Sequence, residues 1–428
     1  MSAVRFTVAA LVVSTLIVVG VVVAVPSEVD ANETGLPASA SLADRGGMAL
    51  LDGLAALPAS ALPAFVFDHP DAVVALLASP PAATEVSDWW ALTPQSARTA
   101  IAGAAPTLVG NLDGLPAAAR DRANRAELAA AIDDATRELP TLGRSERVDA
   151  RQRLHMLGEI RSSLQVPVGT AAHTLISLDT TWPGRAAVAV GDIETADYVS
   201  YLVPGMFFST DRLIVEWTVI AEDLHDEQER WLARLGTGGS SATVAWIGYE
   251  TPGLVNVGSL DLAREGATAI SRAVGGVRAD RQRVEPYVTL LSHSYGSTAA
   301  MLAIAAGQVT VDALVLIGSP GGEVSSVRDL HMAPDRVYVG EAVGDLVTGS
   351  GYFGVPPGSA GFGARGMRVA GGTDPITGDR LSAAAGHLGY FDPGSESMRN
   401  MALVGIDRGD LVTSGAAGSD GTLLAADH

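Results

Sequence analysis

The chain has 428 residues, of which 47% are hydrophobic, and it carries a formal net charge of -20 with no lysine and no cysteine. Such an acidic chain has no basic surface to neutralise phosphates, which argues against a nucleic-acid-binding function. The missing residue types exclude a cysteine nucleophile, disulfides, thiolate metal sites, a Ser/Lys dyad, a phosphate-loop lysine and a Schiff-base lysine.

Residues 1–25 are predicted to be a transmembrane anchor or a signal peptide. The stretch from Phe6 to Val25 is uncharged, follows Arg5 and is long enough to cross a bilayer as a helix. The small residues around Val29-Asp30-Ala31 suit signal cleavage, so both alternatives stay open, with the anchor favoured. Either way, we expect the bulk of the protein outside the cytoplasm, as a single-pass membrane protein or after secretion.

Two segments of different composition follow. Residues 26–60 are rich in Ala, Ser, Gly and Pro and are predicted to be a linker. Residues 61–168 alternate apolar and charged positions at helical spacing and are predicted to be a helical region. Its polar blocks, 110–116 and 120–125, are interpreted as a helix-capping turn and an ion-paired helix face, with ligand contacts as the alternative.

The hydrophobic period changes after residue 168, and 169–407 is predicted to be one α/β domain. Three short apolar runs within 174–203 predict a β-meander that enters a buried sheet. Helices and strands alternate after them, which predicts a doubly wound, mostly parallel sheet. The Gly/Pro-rich segment 348–372 is predicted to be a functional loop, and 408–428 a flexible tail.

The stretch 286–307 combines an apolar strand pattern, a small-residue turn and an Ala-rich helix pattern from Thr298. At the turn, Ser292-His293-Ser294-Tyr295-Gly296 matches the nucleophile-elbow motif G-x-S-x-G of the α/β-hydrolase fold, except that Ser292 replaces the first glycine. The motif needs small residues because strand and helix approach closely there. Ser294 is therefore the predicted nucleophile.

The partners of the nucleophile are predicted from chain order, because the acid and the histidine follow the serine in this fold. His331 precedes a predicted strand and His428 is the last residue printed, which leaves His387 as the predicted base. Asp345 follows a predicted strand and is the favoured acid, with Glu323 as the alternative. His387 would take the serine proton, and Asp345 would fix the imidazole tautomer.

An oxyanion hole is predicted from two backbone N–H groups. Tyr295, directly after the nucleophile, would supply the first, and Met206 in the loop after the strand ending at Val203 would supply the second. Gly205 beside it would allow close approach. No cofactor and no metal site is predicted, since no nucleotide motif and no cluster with metal-ligand spacing stands out.

Several segments resemble recurrent blocks of a bacterial α/β-hydrolase family of largely unknown function, in which a helical N-terminal region precedes the catalytic domain. The blocks are Trp89 to Pro94, 110–116, 120–125, Gly191 to Ile193, Val203 to Met206, Ala245 to Tyr249, His293 to Ser297 and Gly318 to Gly321. The resemblance covers residues 85–405. It implies the α/β-hydrolase fold and a hydrolase site at Ser294, Asp345 and His387, but no particular substrate.

Two functional hypotheses follow. The favoured one is an exported or membrane-tethered serine hydrolase, esterase-like or lipase-like, that acts on a small-molecule or lipid-like ester, a thioester or an amide. The alternative is an inactive binding protein of the cell envelope that keeps the fold, suggested by Ser292 and by the large helical region. The sequence identifies neither a protein partner nor an oligomeric state.

Overall fold

The computed structural model describes residues 42–166, 169–253, 255–414 and 422–423. The apolar stretch from Phe6 to Val25, predicted to be an anchor or a signal peptide, lies outside these ranges. Within them, no helix is both long and apolar enough to cross a membrane.

A region of short and long helices precedes the sheet. Its helices are α1 (Gly47–Ala56), α2 (Leu62–Asp68), α3 (Pro70–Ala78), α4 (Ala83–Leu92), α5 (Gln95–Ala104), α6 (Pro106–Asn111), α7 (Ala117–Glu138) and α8 (Arg144–Ser162). Helix α1 buries Leu50, Leu51 and Leu54 in a common core with α2 to α6. The prediction of a linker over 26–60 is therefore wrong for residues 47–56, because apolar residues at helical spacing were hidden in an Ala- and Gly-rich composition.

The central sheet has eight strands in the described chain. They are β1 (His173–Asp179), β2 (Arg185–Val190), β3 (Tyr198–Val203), β4 (Ser241–Ile247), β5 (Tyr287–His293), β6 (Ala313–Ile317), β7 (Val337–Gly340) and β8 (Arg365–Met367), in the order β1-β2-β4-β3-β5-β6-β7-β8. The pairs β1–β2 and β2–β4 are antiparallel and the other pairs are parallel. The mostly parallel sheet agrees with the prediction, whereas the meander is wrong, because β4 lies between β2 and β3.

Helices cover both faces of this sheet. They are α9 (Thr210–Leu235), α10 (Asp261–Asp280), α11 (Tyr295–Ala305) and α12 (Glu396–Gly405). Helices α8, α9 and α12 pack on one face and α10 and α11 on the other, with side chains alternating along each strand, as for Leu290 and Leu291. The parallel strands end at one edge of the sheet, where the predicted site residues follow β5 and β7.

The last part of the chain is more regular than predicted. Strand β8 lies within the predicted loop 348–372, and three short pairs of strands or bridges follow it: β9 (Gly372–Thr373) with β10 (Arg380–Leu381), β11 (Thr413–Ser414) with β12 (Thr422–Leu423), and Ser382 with Ser395. The flexible tail predicted for 408–428 is wrong for residues 408–414, because Val412 is fully buried and the Thr413 carbonyl accepts a hydrogen bond from Arg368.

Polar residues of the helical region bind the backbone of β1, the strand at one edge of the sheet. Asn111 donates to the Leu178 carbonyl at 2.8 Å and accepts from the Leu178 N–H at 2.9 Å. The Asp121 carboxylate accepts from the Leu175 N–H at 2.7 Å, and Asn124 donates to the Leu175 carbonyl at 2.9 Å. These bonds occupy backbone groups that an edge strand otherwise leaves open. The blocks 110–116 and 120–125 therefore attach the helical region to the sheet.

Candidate active site

Ser294 lies at a sharp turn between β5 and α11. Its φ of 53° and ψ of -130° form a conformation that residues with a Cβ avoid for steric reasons. Helix α11 begins at Tyr295, three residues before the predicted start at Thr298, so Ser294 directly precedes the helix. The Ser294 N–H donates to the carbonyl of Ile317 in β6 at 3.0 Å, which holds the turn against the neighbouring strand.

Glycines allow the close approach of this turn to its surroundings. A Cβ on Gly296 would lie 2.4 Å from a carbonyl oxygen of the loop after β3, and a Cβ on Gly205 would lie 2.5 Å from the Cβ of Ser294. The first motif position is less demanding, since Ser292 is fully buried in β5 without interrupting the pairing with β3 or β6. Serine in place of glycine is therefore compatible with the elbow geometry.

The structure brings Ser294, His387 and Asp345 into one hydrogen-bonded row. The Ser294 Oγ lies 2.8 Å from the His387 Nε2, and the His387 Nδ1 lies 2.9 Å from the Asp345 Oδ1. Because a carboxylate only accepts, Nδ1 carries the proton and Nε2 is free to accept from the serine. The alternative acid, Glu323, is instead exposed and pairs with Arg264 at 3.5 Å.

The environment of Asp345 favours its charged form. Burial raises the pKa of this carboxyl, but hydrogen bonds from the Tyr390 hydroxyl, His387 and the Val347 N–H together outweigh it and hold the pKa below its usual range. The Tyr390 hydroxyl donates to Oδ2 at 2.7 Å and the Val347 N–H to Oδ1 at 2.9 Å. Asp345 is therefore a carboxylate at neutral pH, as a group that orients a histidine must be.

Tyr390 was missed by the sequence reasoning. Besides its bond to Asp345, its hydroxyl accepts from the Ala342 N–H at 2.8 Å, and the side chain is fully buried. It connects the segment after His387 to the loop that carries the acid. Tyr390 lies three residues after the predicted base, but no known sequence spacing assigns a role to a tyrosine at this position.

His293 lies within the elbow motif, but the sequence alone assigns it no role. Its Nε2 lies 2.7 Å from the backbone carbonyl of His387, and the two imidazole rings are 4.6 Å apart. Burial, followed by repulsion from His387, lowers the pKa of His293 to about 3. The ring is therefore neutral, and its Nε2–H donates to the carbonyl of His387. This hydrogen bond holds the segment that carries the predicted base.

Tyr295 and Met206, the two predicted oxyanion donors, each adjoin a residue of the serine turn in sequence or in space. Tyr295 is the first residue of α11, where backbone N–H groups lack partners within the helix. Met206 follows Gly205, the glycine in contact with Ser294. The next residue, Phe207, has a φ of 65° and its N–H donates to the Pro252 carbonyl at 3.0 Å, which fixes this strained loop.

No group of three or more His, Asp or Glu side chains in the described ranges is arranged to hold a metal ion. The site offers the Ser294 hydroxyl, the His387 imidazole, the Asp345 carboxylate and backbone donors. With these groups it can carry out acyl transfer through a serine nucleophile.

Comparisons with known proteins point to the same fold. A family model described as "Alpha/beta hydrolase" matches residues 179–355. The uncharacterized protein Rv2079 of Mycobacterium tuberculosis is 28% identical over 395 residues, which cover 81% of this chain and 58% of the relative. The uncharacterized protein Mb0988c of Mycobacterium bovis is 30% identical over 213 residues, which cover 47% of this chain and 78% of the relative.

Solved esterases are also similar. Carboxyl esterase 2 of the fungus Tuber melanosporum has a TM-score of 0.35 and 13% identity, over 57% of this chain and 89% of the esterase. A thermophilic carboxylesterase from a metagenomic library, EstE1, has a TM-score of 0.22 and 20% identity, over 42% of this chain and 54% of that one.

Proposed function

Because the chain belongs to the alpha/beta hydrolase family, we propose that it is a serine hydrolase with a catalytic triad of Ser294, His387 and Asp345. The observation that carries the proposal is the continuous row of hydrogen bonds, 2.8 Å from serine to histidine and 2.9 Å from histidine to carboxylate. We favour an ester as the substrate, with thioesters and amides as further possibilities for the same chemistry.

In the first half-reaction, the Ser294 Oγ forms a bond to the carbonyl carbon of the substrate while His387 Nε2 takes the hydroxyl proton. The carbonyl oxygen becomes an oxyanion, which the N–H groups of Tyr295 and Met206 would stabilise. His387 then gives the same proton to the leaving oxygen as the carbon–oxygen bond breaks. The products are an alcohol and an acyl-enzyme.

In the second half-reaction, water takes the place of the alcohol. His387 Nε2 accepts a proton from the water as its oxygen bonds to the acyl carbon, and the proton returns to Ser294 Oγ as the acyl–serine bond breaks. In both steps the imidazolium is transient, and the Asp345 carboxylate beside Nδ1 stabilises it. The low pKa of Asp345 supports this role, because the carboxylate keeps its charge at neutral pH.

The competing proposal, an inactive binding protein, was based on Ser292 in the first motif position and on the helical region. A buried Ser292 that leaves the elbow intact favours the enzyme over this alternative, and the bonds of the helices to the edge of the sheet give the helical region a structural role. We further propose that the protein acts outside the cytoplasm, anchored or secreted through the segment from Phe6 to Val25.

Labelling with a fluorescent fluorophosphonate tests the triad, because this reagent reacts much faster with an activated serine than with an ordinary one. We expect the parent to be labelled, Ser294→Ala not to be labelled, and His387→Ala to be labelled about 10² to 10⁴ times more slowly, since it lacks the general base. Ser162→Ala and His155→Ala, both exposed on α8, are matched controls that should label like the parent. A folded parent that stays unlabelled, or a Ser294→Ala variant that is still labelled, would contradict the proposal.

A further inference from the structure

Four loops surround Ser294 at the edge of the sheet where the parallel strands end. They are 204–209, 251–260 (of which residue 254 lies outside the described ranges), 343–360 and 384–391, and we call them the mouth loops. In their sequence, Asp345 is the only acidic residue and His387 the only histidine, and there is no arginine. The whole chain is 18% charged, so this mouth differs from the rest of an acidic protein.

The mouth loops also carry large apolar side chains that point into solvent. Of the fifteen large apolar side chains that are exposed in the described ranges, nine lie elsewhere and six lie in these short loops: Phe207, Val255, Val343, Leu346, Tyr352 and Leu388. Leu346 is 92% exposed and directly follows the buried Asp345. Leu388 likewise follows His387. Single exposed apolar residues are ordinary, but a group contributed by four separate loops around one opening marks an interaction site.

Phe207, Val255 and Tyr352 belong to loops that contact one another on the side of the predicted oxyanion donors. The Phe207 N–H donates to Pro252 at the start of the loop that carries Val255. The Tyr352 hydroxyl lies 3.1 Å from where a Cβ on Gly258 would be, so the loops 251–260 and 343–360 meet there. Phe353 continues this contact inward, with its ring 5.4 Å from that of Tyr295, the residue after the nucleophile.

The other half lies on the side of the histidine. Val343 forms a bridge with Ala385, and its carbonyl accepts from the Gly386 N–H at 3.4 Å. Val343 and Leu388 therefore belong to two segments that pair with each other next to His387. Both halves are anchored by main-chain hydrogen bonds, so the apolar side chains are held around the opening.

We propose that these six side chains form a docking face for a neutral lipid surface, from which an ester enters the site; the second part rests on the proposed function. A lipid surface fits because apolar side chains from four loops near Ser294 would place the nucleophile against the source of the substrate. A protein seated on the same face would cover the nucleophile. An anionic surface does not fit, since a chain with a net charge of -20 and mouth loops without arginine offers it no attraction.

The absence of cysteine allows a direct test on the full chain. Single Leu346→Cys and Val255→Cys variants, made with Ser294→Ala to prevent turnover, are labelled with an environment-sensitive fluorophore. Phosphatidylcholine vesicles containing a nitroxide-labelled phosphatidylcholine are then added. Leu92→Cys on α4 and Phe67→Cys on α2 are matched controls, because these side chains are exposed to similar extents at 85% and 84% but lie in the helical region.

We expect the fluorophores at 346 and 255 to shift to the blue and to lose more than half of their intensity to the nitroxide, with little change at 92 and 67. Equal responses at all four positions, or none at the two mouth positions, would overturn the proposal, even if the N-terminal segment attached the chain to the vesicles. Stronger quenching with phosphatidylglycerol than with phosphatidylcholine would overturn the neutral-surface assignment.

Rates of ester hydrolysis test whether the docking face brings substrate to the site. The rate on tributyrin above its solubility limit is divided by the rate below it, for the parent, Leu346→Ser and Leu92→Ser. We expect the ratio to fall about tenfold for Leu346→Ser only. An unchanged ratio contradicts the docking face, whereas the absence of any hydrolysis contradicts the proposed function and leaves the fluorescence result to decide the docking face.

Discussion

At the scale of single residues, His293 links the stability of the protein to pH. The folded protein protonates this buried imidazole only near pH 3, whereas an unfolded chain protonates it near its ordinary value of 6.5. Between these two values the unfolded state binds one proton more than the folded state. The contribution of the neutral His293 is therefore complete above pH 6.5 and decreases as the pH falls towards 3, by about 1.4 kcal/mol per pH unit.

A His293→Gln variant should show a smaller loss of stability in acid than the parent. Its amide nitrogen can still donate to the His387 carbonyl, but the side chain takes up no proton. We expect the difference in unfolding free energy between pH 7 and pH 5 to be smaller in the variant, measured by urea unfolding at each pH. Parallel curves for the two proteins would show that the folded protein protonates His293 as readily as the unfolded chain does, which would contradict the lowered pKa.

The sequence is sufficient to predict the three hydrogen-bonded residues of the candidate site, but not the residues that hold these three in place. Ser294, Asp345 and His387 follow from a local motif and from chain order. The support from His293 and Tyr390 depends on contacts over 94 and 45 residues of sequence, which no local pattern encodes. Both residues also suit ordinary core positions, so only the folded arrangement shows what they bind.

At the scale of elements, the attachment of helix α7 to strand β1 depends on a buried polar residue, Asn124. Asn124 is fully buried, and its amide donates to the carbonyls of Gly110 at 3.0 Å and Leu175 at 2.9 Å. We expect Asn124→Ala to lower the free energy of unfolding by about 1 to 3 kcal/mol, because it removes the only side-chain amide that bridges these two carbonyls in the described structure.

Urea unfolding of the variant and of Asp134→Ala would check this. Asp134 lies on the same helix, but its ion pair with Arg137 is exposed, so its loss should cost less than about 1 kcal/mol. Equal effects of the two substitutions would mean that the attachment of α7 to β1 contributes little to stability.

Element types were easier to predict than element partners. The alternation of helices and strands after residue 204 is visible in the hydrophobic period, and the structure has the same alternation. The position of β4 between β2 and β3 was not visible, because a period of two identifies a strand but not its neighbours. Helix α1 was missed because its few buried leucines stand among small residues that are equally common in linkers.

At the scale of the whole molecule, the last two helices of the helical region share a core with the sheet. Met156, Leu157 and Ile160 of α8 are fully buried in the same cluster as Trp217 and Leu224 of α9. A chain that begins at residue 169 would expose this apolar surface and the free side of β1. We therefore expect it to aggregate or to form soluble oligomers.

Size-exclusion chromatography and circular dichroism of the shortened chain, beside the chain that begins at residue 42, would test this. A monomer with the thermal stability of the longer chain would show that the sheet domain folds independently. The longer chain serves as the control for the loss of residues 1–41, so any difference between the two comes from the helices.

The hydrogen bonds around Ser294 have a consequence for how the site opens. His293, next to the nucleophile, holds the carbonyl of His387, and Tyr390, just beyond His387, holds Asp345. The loop that carries Asp345 and the loop that carries His387 are therefore connected, and neither can detach without breaking one of these hydrogen bonds. Local fluctuations should therefore release both loops as one cooperative unit. At any moment, each molecule then has either the complete row of three groups or a lone serine that no base activates.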